Sequence, residues 1–66
     1  MQIQLNGEQC EIPEGMNVAG MLAHLGLNAA RVAIERNLEV LPRAQWAVTA
    51  VAEGDRYEIV QFVGGG

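Results

Sequence analysis

The first twelve residues alternate in polarity. Met1, Ile3 and Leu5 are apolar and Gln2, Gln4 and Asn6 are polar, the period of two that a half-buried strand presents. Asn6-Gly7 supplies the positive φ angles of a type I′ turn, so residues 1–12 are expected to form a hairpin. Its return strand directs Cys10 and Ile12 to the core and Gln9 and Glu11 to water, until Pro13-Glu14-Gly15 breaks it. The period then changes. Asn17 is placed to cap a helix, and Val18, Met21, Leu22 and Leu25 follow at i, i+3, i+4 and i+7, one apolar stripe. Gly26 stands where a left-handed residue ends such a helix, and Leu27 is able to fold back on the last turn. Gly20 inside the helix costs about 1 kcal/mol relative to Ala, which is sustainable where a close neighbour needs the room.

Beyond the helix the apolar runs are short. Val32-Ala33-Ile34 predicts a buried strand, Arg36-Asn37 a turn, and residues 38–41 a second short strand ended by Pro42. Pro42 to Trp46 predicts one helical turn, with Trp46 closing the core. Glu53-Gly54-Asp55 is a turn, and residues 56–63 are the last strand, with Tyr57 and Ile59 facing inward and Glu58, Val60 and Phe62 outward. One apolar helix stripe needs one sheet face to cover it. The predicted class is therefore α+β, a β-grasp (ubiquitin-like) domain over residues 1–63 whose mixed sheet curls around one main helix. Residues 64–66, all glycine, form a flexible tail.

Size and charge narrow the function. A chain of 66 residues makes one small domain, which buries only about 60% of its unfolded surface. The net charge is −4 and the basic residues Arg31, Arg36, Arg43 and Arg56 are scattered, so no stripe exists to neutralise nucleic-acid phosphates. No basic segment with an apolar run opens the chain, and no apolar stretch approaches the roughly 20 residues of a membrane span. A cytoplasmic protein without membrane contact is expected. Cys10 is the only cysteine, too few for an internal disulfide or a thiolate metal site, and it is expected to be a small apolar strand residue. His24 falls on the polar side of the helix, and the carboxylates are spread over several elements, so neither predicts a metal or acid–base site.

The glycine run carries the chemistry. Glycine offers no side chain to pack and loses the most entropy on ordering, so Gly64-Gly65-Gly66 serves no core. Three residues without side chains are thin enough to thread a narrow channel and bring the Gly66 carboxylate to a reaction centre. A carboxylate is a poor electrophile, so the chemistry it invites is activation to an acyl adenylate followed by nucleophilic attack at the carbonyl carbon.

At this point the chain resembles a known family. Asn6-Gly7, the run Val32-Ala33-Ile34-Glu35-Arg36-Asn37, the run from Val40 to Trp46, Gly54-Asp55, and the ending from Val60 to Gly66 occur in the order found in the small sulfur carriers of the ubiquitin-like superfamily, most closely the ThiS family of thiamin biosynthesis. The resemblance spans the whole length. It implies that a ThiF-like adenylating enzyme activates Gly66 with ATP and magnesium, and that sulfur from a cysteine desulfurase persulfide replaces the adenylate to give a thiocarboxylate. A ThiG-like thiazole synthase then receives that sulfur for the thiazole of thiamin. It also implies that the protein itself catalyses nothing and binds no cofactor, ATP and magnesium belonging to the partner, since the sequence has neither a phosphate-binding glycine loop before a helix nor a carboxylate cluster for the metal. Gly64 and Gly65 thread the partner's active site, and Val60, Phe62 and Val63 are the expected docking contacts. A carrier for molybdopterin or another pathway, or a β-grasp interaction module that is never modified, fits the same residues.

Overall fold

The computed structural model describes residues 1–62. Strands β1 (Gln2–Leu5) and β2 (Glu8–Glu11) form the first hairpin, helix α1 (Val18–His24) follows, and β3 (Val32–Arg36), β4 (Glu39–Val40) and β5 (Arg56–Gln61) complete one five-stranded sheet in the order β2-β1-β5-β3-β4. Strands β1 and β5 run parallel at its centre and the other pairs are antiparallel. A parallel pair cannot be joined by a tight turn, so the chain crosses the sheet between them and the helix lies in that crossing. This is the expected β-grasp arrangement.

The local signals act as the sequence implies. Asn6 and Gly7 both have positive φ, 51° and 82°. Asn17 caps α1, its Oδ1 accepting from the Gly20 amide at 2.7 Å. The helix ends in a Schellman motif: the Gly26 amide donates to the Ala23 carbonyl and the Leu27 amide to the Leu22 carbonyl, with Gly26 at φ 73°. The close neighbour that Gly20 accommodates is the cap itself, since a Cβ at Gly20 would stand 3.2 Å from Asn17 Oδ1.

Val18, Met21 and Leu22 are buried against Ile3, Ile12, Ile34, Tyr57 and Ile59 of the sheet side, and Trp46 and Val51 close the end of this core. Each large side chain so buried contributes about 1.5–3 kcal/mol. Cys10 is half-buried and packs against the core, as a small apolar residue would, and His24 is exposed. Trp46 donates its Nε1–H to the Leu41 carbonyl at 2.9 Å, and the Arg43 guanidinium lies over its ring, 4.5 Å from the centroid.

Four boundaries and one added turn differ from the sequence expectation. The second hairpin turn is Asn37-Leu38, both at positive φ, and not Arg36-Asn37, because Arg36 is held in the ladder opposite Glu39 and Tyr57. Strand β4 is correspondingly only Glu39–Val40. The helical turn after Pro42 is a 3₁₀ segment over Arg43–Val48, with Pro42 extended just before it. A further 3₁₀ turn, Ala29–Arg31, is capped by the Asn28 side chain. The last strand ends at Gln61 among the described residues. Phe62, expected in that strand, follows it outside the ladder; Val63 and the expected tail, Gly64, Gly65 and Gly66, lie outside the described residues.

Two asparagines join the hairpins to the central strand. The Asn6 side chain accepts from the Ile59 amide at 2.8 Å and donates to the Ile59 carbonyl at 3.2 Å, so it substitutes for a backbone residue and extends the β1–β5 pairing. Asn37 accepts from the Arg56 amide at 2.9 Å and donates to Asp55 at 3.2 Å. Both turns are thereby pinned to β5, the strand that carries the chain towards its glycines.

Candidate functional site

The ladder around β5 determines what the outer face of the sheet presents. Tyr57 and Ile59 are buried, so their neighbours Glu58 and Val60 point to solvent. Val60 is 59% exposed and lies opposite Ala33. Phe62, 54% exposed, follows the strand, and its amide donates to the Arg31 carbonyl at 2.7 Å. That bond adds one backbone contact between the two segments beyond the Val32–Gln61 pair.

Val60 and Phe62 are both outward, as the alternation implies, but they sit in adjoining shallow concavities. Val60 shares one with Ala33, Glu35, Val40 and Glu58. Phe62 shares the other with Pro42, Arg43 and Trp46, and Ala33 and Val40 belong to both. An apolar lane therefore runs from Val60 across Ala33 and Val40 to Phe62. Val40, 75% exposed, is a member that the sequence reading did not single out. Its signal was present as an apolar residue in a very short strand, but the face it occupies depends on pairing with Glu35. The other expected contacts, Val63 and the glycines 64–66, lie outside the described residues.

A polar cluster anchors the opposite end of β5. Asp55 is buried, and its carboxylate accepts from the Ala52 amide at 2.9 Å, the Tyr57 hydroxyl at 2.9 Å, the Asn37 amide at 3.2 Å and Arg36 Nε at 3.2 Å. Burial by itself would raise this carboxyl, but those donors and the Arg36 charge together hold it below the ordinary carboxylate range. Burial, aided by the carboxylate and opposed by Arg36, pushes the Tyr57 hydroxyl up to about 12. The cluster is fully bonded, and it ties the turn before β5 to the second hairpin. It supplies rigidity and leaves no open coordination position. Among the described residues no three of His, Cys, Asp and Glu gather at metal-binding distance, and no helix is long and apolar enough to cross a membrane.

Similarity to known proteins runs along the whole chain. The ThiS family model matches residues 3–66. A thiazole synthase of Paramagnetospirillum magneticum is 44% identical over all 66 residues, and the chain spans 20% of that protein's length. The sulfur carrier protein ThiS of Escherichia coli is 33% identical, with both chains covered completely. The crystal structure of the thiamine biosynthesis protein ThiS from Geobacter metallireducens matches with a TM-score of 0.85 at 36% identity, again over the whole of both chains.

Proposed function

The chain belongs to the ThiS family, and from that premise we propose that it is a sulfur carrier of thiamin biosynthesis whose Gly66 carboxyl group is adenylated and converted to a thiocarboxylate. It is a carrier and not a catalyst. The observation that carries this reading is the reach of the family match, which spans residues 3–66 and so takes in Gly64, Gly65 and Gly66.

The chemistry follows from the group available. A carboxylate oxygen of Gly66 attacks the α-phosphorus of ATP in a ThiF-like partner, pyrophosphate leaves, and the partner's magnesium offsets the phosphate charge. A persulfide sulfur originating from a cysteine desulfurase then attacks the acyl carbon and AMP departs. Cleavage of the sulfur–sulfur bond by a thiol leaves the thiocarboxylate, which a ThiG-like thiazole synthase consumes. A stretch matching this whole chain within a protein named thiazole synthase supports that last partner. Gly64 and Gly65 form the thin leader into each active site. The apolar lane through Val60 and Phe62 is the docking surface, with Val63 a further contact, and the cytosol, with its ATP, is where the cycle runs.

Intact mass tests the proposal. After incubation with ATP, magnesium, a ThiF-like enzyme and a persulfide source, the chain should gain one sulfur and lose one oxygen. A form with one residue appended after Gly66 should stay unchanged. An unaltered mass for the chain ending at Gly66 would refute the reading.

A further inference from the structure

Three features near the apolar lane are unfavourable to the isolated domain. Glu35 and Glu58 stand directly opposite each other across β3 and β5, where like charges destabilise a sheet. Among the described residues neither has a cation within ion-pair distance, the ion pair formed there being Arg36–Asp55. Leu38 occupies the second turn position at φ 72°, in the left-handed region, and is 72% exposed. The first hairpin has the same turn with Gly7 at that position. A branched side chain there strains the backbone and, so exposed, gains little packing in return. Val40, on the strand that leaves this turn, lies opposite Glu35 in the outer-face groove with Glu58 and Val60.

Local rules broken together at one place, with no compensation among the described residues, mark a surface kept for binding. We infer that Glu35 and Glu58 with Leu38 and Val40 form a second docking element, which receives an Arg or Lys of the thiazole synthase flanked by an apolar side chain. The inference rests on the docking reading above and extends it from the tail-proximal end of β5 to the β3–β4 hairpin. Charge complementarity chooses the partner group, and the stretch matching this whole chain within a protein named thiazole synthase chooses the enzyme that bears it. A cation between two carboxylates relieves their repulsion, and an apolar neighbour covers Leu38 and Val40. The repulsion and exposure present in the free domain are thus removed in the complex, where they add to specificity.

Two variants test this: the double substitution E35Q/E58Q, and L38G, which gives the second turn the chemistry of the first. Thermal unfolding should show each at least as stable as the parent chain. Titration against the cognate thiazole synthase should show each binding at least about tenfold more weakly, and E35Q/E58Q should also lose most of the salt dependence of binding. Affinities within twofold of the parent for both variants would overturn the inference, as would weakening matched by an equal loss of stability, or weakening confined to the adenylating enzyme. Loading by intact mass separates the two readings. A parent chain that acquires no sulfur refutes the carrier proposal, whereas a parent that loads normally beside variants that bind normally refutes the second docking element alone.

Discussion

Tyr57 is the only tyrosine of the chain, so its ionisation can be followed directly by phenolate absorbance. Its hydroxyl is pushed up to about 12 by burial first and by the Asp55 carboxylate. A folded value above the unfolded one, about 10, means that the unfolded state releases its proton first. The stability from this group is therefore complete below about pH 10 and is lost as pH rises through the folded value. Phenolate should appear only near pH 12, and Tyr57→Phe should remove that part of the alkaline decline. Asp55 has the opposite sign. Its folded value is lowered, so its contribution is present above the unfolded value, about 3.9, and is lost as pH falls below it through the folded value. Acid unfolding followed by Trp46 fluorescence should be less steep for Asp55→Asn, which should also be less stable at neutral pH. Asn6 offers a third test. Asn6→Gly keeps the turn but leaves both the amide and the carbonyl of Ile59 without the side-chain partner, a loss of about 1–3 kcal/mol readable as a lower urea midpoint.

The helix shows how two positions share one function. Asn17→Ala removes the bond to the Gly20 amide and should cost about 1 kcal/mol. Gly20→Ala should ordinarily gain about 1 kcal/mol, but its Cβ would crowd Asn17 Oδ1 at 3.2 Å, so most of that gain should vanish in the parent chain. With Asn17→Ala present the full gain should appear. A double-mutant cycle by urea denaturation measures the coupling, and additive effects would show that the crowding is without consequence. The periodicity, the cap and the Gly26 stop were all legible here because each acts within one or two turns. The second hairpin was not. Nothing in Asn37-Leu38 marks Leu38 for a left-handed conformation, and the turn lies there because β3 continues to Arg36 in register with β5.

For the whole molecule, the sheet has a buried inner face that holds the core and an outer face that leaves Val60 and Phe62 exposed. Phe62 is half-exposed beside Pro42 and Trp46. Phe62→Ala should leave the melting temperature nearly unchanged and weaken partner binding by at least about 1 kcal/mol, and a fall in stability with intact affinity would assign it to the core instead. The outward direction of Val60 and Phe62 was readable from the alternation around Tyr57 and Ile59. Their adjoining Val40 was not, because it joins them through pairings between segments distant in the chain. Asp55 was legible as a turn residue, but its burial follows from the convergence of Arg36, Asn37, Ala52 and Tyr57. By itself the amino-acid sequence determined the order of the strands and the main helix, the helix stripe, its caps, the first turn and the glycines at residues 64–66, since period, capping and positive φ depend on near neighbours. Tertiary structure alone decided the register that opposes Glu35 to Glu58, places Val40 beside Val60 and joins both asparagine turns to β5. Those relations arise only when remote strands pair, and a one-residue slip would reverse every face.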